Sequence, residues 1–248
     1  MIFVYGVISY LAFLGTIMYA IGFVGNVLVP KSIDSVATDP LWFALVMNVG
    51  LLTLFAVQHS VMARPAFKRW WKQYVPEAAE RSTYTLFASL ALMLLFWQWR
   101  PMGGVVWNVE DPAGQATLYA LYASGWTLVF TSTFLINHFD LFGLRQVWLH
   151  LRGREYTHLR FATPGPYRFI RHPLYVGFML AFWATPTMTV THLLFALMTT
   201  AYILVAVQLE ERDLVSAHGH IYVAYRKHVP MFFPRLARKQ AKVAPAES

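Results

Sequence analysis

Cysteine is absent from the 248 residues, and charge is scarce. The first absence excludes disulfides, thiolate metal sites and a cysteine nucleophile together. The second says more about class. Only 13% of the residues are Asp, Glu, Lys or Arg, whereas a soluble domain carries roughly a quarter. A Gly-rich loop of the Rossmann kind is missing too, so a Rossmann fold is not expected. What is present is apolar: 57% of the chain is hydrophobic and 17% aromatic. These residues gather in long runs and do not alternate, which makes the chain an integral membrane protein. The polar segments between the runs are too short to form a soluble domain.

A helix needs about 20 apolar residues to cross the hydrocarbon core. Ile2–Val29 and Leu41–Met62 meet that length. The first continues without an Ala-x-Ala-like cleavage site, so it reads as a retained span. Tyr84–Trp99 is shorter and ends in Phe96, Trp97 and Trp99, an interfacial aromatic belt. Ala116–Ile136 is a fourth span. Leu174–Thr185 and Leu193–Leu209 follow, joined by a tight turn over Pro186 to His192, and the former is marginal in length. Leu214, Ile221 and Tyr225 recur at helical spacing, predicting an amphipathic helix from Glu210 to Val229 that continues the last span. Lys239 to Ser248 read as a small, polar, disordered tail. The expected fold is all-α: a polytopic transmembrane bundle of five to six spans with a helical hairpin.

The basic residues set the orientation. Arg64, Lys68, Arg69, Lys72 and Arg81 lie between spans two and three. Arg145, Arg152, Arg154, Arg160, Arg168 and Arg171 lie between spans four and five. Arg212, Arg226, Lys227, Arg235, Arg238, Lys239 and Lys242 follow the last. Only Lys31 and Arg100 fall on the other side, and the positive-inside rule then places both termini in the cytoplasm, in a bacterial inner membrane. The net charge of +8 is therefore topological, with attraction to anionic membrane lipid as a second role. No nucleic-acid motif accompanies it, so nucleic acid is not an expected partner. No obligate protein partner is evident either.

One polar cluster exceeds what topology needs. Gly165-Pro166-Tyr167-Arg168-Phe169-Ile170-Arg171-His172-Pro173-Leu174-Tyr175-Val176-Gly177 opens the hairpin, and Glu210-Glu211 closes it. Pro173 is pre-set for the first helical turn, and a helix N-terminus beside Arg171 suits an anion. Adjacent carboxylates at the end of an apolar span are costly unless they pair or hold a ligand. They could pair with Arg171 or Arg212, or accept hydrogen bonds from hydroxyls or an ammonium group. His218 and His220 point apart on a helix. His150, His158, His192 and His228 have no partner at ligand spacing, so no metal is expected.

The string Gly-Pro-Tyr-x-x-x-Arg-His-Pro-x-Tyr-x-Gly, then Glu210-Glu211-x-x-Leu214, Gly219-x-x-Tyr222-x-x-Tyr225 and Val229-Pro230-x-x-x-Pro234, resembles the isoprenylcysteine carboxyl methyltransferase-like membrane methyltransferases. The matching region covers Pro164 to Pro234. Upstream, Gln58-His59-Ser60-Val61-Met62-Ala63-Arg64-Pro65 and Asn137-His138-Phe139-Asp140-Leu141-Phe142-Gly143-Leu144-Arg145-Gln146 resemble the bacterial methanethiol S-methyltransferase branch. The resemblance implies S-adenosyl-L-methionine (SAM) as cofactor and a small thiol as substrate, with methanethiol becoming dimethyl sulfide. It maps Tyr167, Arg171, His172, Pro173, Tyr175 and Gly177 to one half of the SAM site and Glu210 with Glu211 to the other. Gly177 would let a ligand or a helix approach closely. Residues 1–140 would then form a substrate-side bundle, 141–236 the cofactor region with its C-terminal amphipathic helix, and 237–248 the tail.

A thiol is a poor nucleophile until it loses its proton. His59, His138 and Asp140 are the candidates to manage that proton, each at the cytoplasmic end of a span. His138 and Asp140 are two apart and diverge on a helix, but converge if the helix ends at Asn137. Three other readings stay open: a methyltransferase acting on prenylcysteine or phospholipid, an NADPH-dependent reductase of the sterol type, and a non-catalytic membrane protein.

Overall fold

The computed structural model describes residues 1–157 and 159–234. His158 and the expected polar tail lie outside the described residues. The chain runs α1 (Ile2–Gly25), α2 (Leu41–Ala63), α3 (Pro65–Trp71), α4 (Glu77–Gln98), β1 (Val105–Asn108), α5 (Pro112–Leu135), α6 (His138–Leu141) and α7 (Leu144–Leu151). A single 3-10 turn at Gly165–Arg168 leads to α8 (Pro173–Trp183), β2 (Thr187–Thr189), α9 (Val190–His218) and α10 (His220–His228).

The boundaries follow local chemistry. Proline opens α3, α5 and α8, where its missing N–H costs nothing. Asp111 caps α5, its side chain accepting the Gly114 N–H at 2.7 Å. Glu77 and Glu80 occupy the first turn of α4, the favourable end of the helix dipole for a carboxylate. Asn26 ends α1 in the left-handed conformation.

Among the described residues three helices, α1, α2 and α9, are long and apolar enough to cross a membrane. α4 and α5 have comparable lengths of 22 and 24 residues but a more polar make-up. α8 has 11 residues, about 16 Å of helix against a hydrocarbon core of about 30 Å. This is the marginal length expected of the fifth apolar run.

Packing is inverted relative to a water-soluble bundle. Val4, Ile8, Leu11 and Met18 of α1 point outward, whereas Ser9, Thr16, Ser82, Thr85, Ser89, Ser132 and Thr133 are buried. Several of these hydroxyls bond back to the preceding turn, such as Ser9 Oγ to Tyr5 O at 2.8 Å and Ser89 Oγ to Thr85 O at 2.8 Å. Small polar residues inside and apolar residues outside are what lipid exposure selects. An aromatic core of Phe23, Phe96, Trp99, Trp126 and Phe195 fills the centre.

The closest helix crossing is α5 on α8. A Cβ at Gly125 would sit 2.7 Å from Gly177 O, and one at Gly177 would sit 2.7 Å from Gly125 O. Each glycine is therefore required by the other helix's backbone.

Two expectations need correction. The segment Pro186 to His192 is not a bare turn: Thr187–Thr189 pairs antiparallel with β1, Trp107 facing Met188 and Asn108 facing Thr187. β-branched residues on both segments, with Trp107 on β1, suit extended backbone, and Trp107 Nε1 donates to Thr185 O at 3.2 Å. The predicted helix from Glu210 to Val229 is likewise two helices. α9 runs to His218, and the chain breaks at Gly219, whose φ of 57° and ψ of −131° suit glycine alone.

Candidate active site

The loop before α8 is held by the chain's later segment. Arg171 N–H donates to Pro230 O at 2.9 Å and His172 N–H to Met231 O at 3.2 Å. Tyr225 donates its hydroxyl to Tyr167 O at 2.5 Å. The Val229-Pro230 stretch thus closes over Arg171-His172 as a strap. Burial pushes the Tyr225 phenol up to about 12. Burial, aided by the Glu210 charge, also holds the Tyr167 phenol well above its ordinary range. Both stay neutral hydroxyls at physiological pH.

Beneath the strap, Glu211 is the hub. Arg171 Nε donates to its Oε1 at 2.6 Å, and the side chains are only 8% and 6% exposed. His172 Nε2 lies 3.2 Å from the same oxygen and the Tyr222 hydroxyl 3.5 Å. Arg226 Nη1 approaches Oε2 at 3.6 Å. Arg171 Nη1 is also committed, to Val229 O at 2.6 Å and Arg226 O at 3.2 Å. Arg171, His172 and Glu211 are therefore knotted to one another and to the strap.

Glu210 differs. Its side chain is 42% exposed, and Oε2 accepts the Tyr175 hydroxyl at 2.8 Å. Four more tyrosines, Tyr84, Tyr167, Tyr202 and Tyr222, lie within electrostatic reach of this carboxylate. Tyr84 and Tyr202 escaped the sequence reading. Tyr84 opens its apolar run and Tyr202 lies within one, so each reads as one more membrane aromatic.

His59 joins the same neighbourhood from α2. The Tyr84 hydroxyl is 2.8 Å from His59 Nε2 and 3.2 Å from Nδ1, and Phe55 stacks on the ring at 5.2 Å. One residue on, Ser60 Oγ donates to the Tyr202 hydroxyl at 3.2 Å. An ion pair of 2.9 Å from Arg64 to Asp213 ties the end of α2 to α9.

His138 and Asp140 do not converge. α5 does end before Asn137, which caps α6, but the two side chains take separate partners. His138 is buried between the Tyr10 hydroxyl at 3.0 Å and Thr133 Oγ1 at 2.9 Å, stacked on Phe134 at 4.2 Å. Asp140 holds Arg145 at 2.8 Å and Tyr156 at 3.2 Å. Each is saturated by its own packing. Gly177, placed in the cofactor half by resemblance, lies at the α5–α8 crossing, so of the two close approaches expected for it the helix is the one seen. Pro173 is the buried first residue of α8. Among the described residues no cluster suited to a metal ion occurs.

A sequence profile for phospholipid methyltransferases matches residues 116–220. The methanethiol S-methyltransferase of Crocosphaera subtropica is 57% identical over 238 residues, covering 96% of this chain and 93% of that protein. That of Mycobacterium tuberculosis is 57% identical over 231 residues, covering 93% and 95%. Nurim of Bos taurus is more distant, at 32% over 179 residues and 68% of each chain. No solved structure matches. With more than half of its residues identical along nearly its whole length, the chain belongs to the methanethiol S-methyltransferase family.

Proposed function

We propose that the protein is an integral membrane methyltransferase that methylates a small thiol, methanethiol, to dimethyl sulfide with SAM as methyl donor. The observation that carries this reading is the contrast around Glu210: an open carboxylate ringed by tyrosines, mounted on a buried Arg171–His172–Glu211 knot and neighboured by His59. That donor set fits SAM. A half-exposed carboxylate suits ribose hydroxyls or an ammonium group, and tyrosine faces suit an adenine and a sulfonium. When bound, SAM supplies a methyl group on a sulfonium, so the acceptor sulfur gains the methyl and the thiol proton is left to the protein.

The residues divide the work accordingly. Glu210, Tyr175 and Tyr167 would hold the donor, with Arg171, His172, Pro173 and Glu211 shaping the wall behind them. His59, kept in place by Tyr84 and Phe55, would receive the thiol proton. Holding two reactants in line, in a site with little water, supplies most of the acceleration in such a displacement. In this arrangement residues 1–140 form the acceptor side and 141–236 the donor side, with α10 as its amphipathic cover. α4, α5 and α8 join the three long apolar helices to make five to six spans, and both termini face the cytoplasm. The volatile substrate reaches His59 through lipid, and the charged donor arrives from the basic face.

Purified protein incubated with methyl-labelled SAM and methanethiol tests the reading. Labelled dimethyl sulfide in the headspace is expected. Its absence, with label in phospholipid instead, would favour the second reading, for which the phospholipid methyltransferase match over residues 116–220 speaks.

A further inference from the structure

Arg81 is a cation the topology does not use up. It sits in the second turn of α4, half-buried, where Nε donates to Leu141 O at 2.8 Å. Its guanidinium carbon lies 5.4 Å from the centre of the Tyr84 ring, and the hydroxyl of that ring touches His59. Among the described residues its only hydrogen-bond partner is a carbonyl, and it forms no ion pair. A guanidinium half-withdrawn from water normally has a carboxylate beside it. Here the neighbours are an aromatic face and an imidazole.

The surroundings make the local field positive. Arg64, between α2 and α3, and Lys68 of α3 stand on the same side. Burial, with Arg81 the largest charge acting on it, holds the Lys68 ammonium below the ordinary lysine range. The anions nearby are engaged elsewhere: Asp213 of α9 on Arg64, Glu210 of α9 on Tyr175, and Asp140 on Arg145. Glu80 of α4 is the remaining carboxylate near Lys68. Tyr84, Tyr175, Tyr202 and Tyr156 face the region as phenols.

We propose that Arg81 is the electrostatic positioning residue of the acceptor side, its guanidinium favouring the thiolate over the thiol beside His59 and Tyr84. The inference rests on the thiol methyltransferase reading above. A cation next to a thiol lowers the energy of its anion, and the thiolate is the attacking form.

The test is the pH profile of kcat/KM for methanethiol in the wild type, Arg81→Gln and Arg81→Lys, with S-adenosylhomocysteine affinity measured by calorimetry alongside. Arg81→Gln is expected to move the acid limb up by about one pH unit, a tenfold loss at neutral pH that returns at alkaline pH. An aromatic thiol, ionised already at neutral pH, loses less than threefold. S-adenosylhomocysteine affinity stays within twofold, and Arg81→Lys keeps the wild-type profile. Equal loss at every pH, or equal loss for both thiols, would make Arg81 a brace for the Leu141 carbonyl and overturn the proposal. If Arg81→Gln does not fold, Arg81→Lys decides alone, because a displaced acid limb with the charge retained also overturns it. A wild type that methylates no thiol sinks the activity reading itself, a result distinct from either.

Discussion

Glu210 and Glu211 are neighbours in sequence and opposites in environment. Glu211 is buried against Arg171 at 2.6 Å, whereas Glu210 stands 42% exposed with a tyrosine hydroxyl as its partner. Successive residues on a helix point about 100° apart. Glu211 therefore sits inside the knot, whereas Glu210 lies at its edge, with Oε2 3.8 Å from His172 Nδ1, and opens toward solvent, so their substitutions should fail differently. Glu211→Ala leaves Arg171 buried without its counter-charge, which costs about 3–5 kcal/mol. The expected result is a large drop in thermal stability in detergent, with activity lost as a consequence. Glu210→Gln should keep the wild-type melting temperature and lose at least tenfold in S-adenosylhomocysteine affinity. Equal melting temperatures for the two variants would reverse the division of roles.

His59 should matter to turnover more than to cofactor affinity. Its ring contacts Tyr84 and Phe55 and lies one residue from the Ser60–Tyr202 contact. His59→Ala is expected to lower kcat by about 10²-fold or more, the usual scale for losing a general base, with donor affinity changed less than threefold. His138→Ala should act instead on stability, because it orphans the Tyr10 hydroxyl and empties a buried stack against Phe134. Kinetics paired with thermal unfolding separates the two histidines, and a wild-type rate in His59→Ala removes it from the mechanism.

The long helices and the Arg171-His172…Glu210-Glu211 pairing were legible because hydropathy and motif spacing are local properties of the chain. Helix rotation was not. A mostly apolar run such as 41–63 keeps little record of which side turns inward, so Tyr84 could not be matched to His59, 25 positions away. The same gap left the partners of His138 unread: the Tyr10 and Thr133 hydroxyls hold its ring. It also hid the ribbon, whose strands are separated by α5 through α8 in the chain. Gly177 shows the converse. Its smallness was visible in sequence, but only the crossing shows that Gly125 needs it.

Gly177→Ala and Gly125→Ala should therefore be structural lesions. Each added methyl would lie 2.7 Å from a backbone oxygen that cannot move without shifting a whole helix. Overpacking of this kind costs about 1–3 kcal/mol, and the double variant should cost less than the sum once the helices separate. Thermal unfolding of the three variants in detergent checks this. A Gly177→Ala protein with wild-type stability and lost cofactor affinity would return this glycine to the ligand site.

The face opposite the glutamates should set the acid limit of stability. Asp34 lies in the loop between α1 and α2 and holds three elements together: Thr189 at the end of β2 donates to Oδ1, Asn26 donates to Oδ2 at 2.7 Å, and the His192 ring of α9 lies 3.1 Å away. Burial alone would raise the Asp34 pKa. The hydrogen bonds from His192, Thr189 and Asn26 outweigh it and leave the carboxyl below the ordinary aspartate value. A carboxylate with a depressed folded pKa stabilises the fold fully above its unfolded pKa, about 3.9. That contribution is lost as pH falls through the lower, folded value. The melting temperature of the wild type should hence fall as pH drops below about 4, while Asp34→Asn, already without the charge, should start lower and show a shallower decline. Parallel acid profiles for the two proteins would mean that this carboxylate does not couple the loop to β2 and α9.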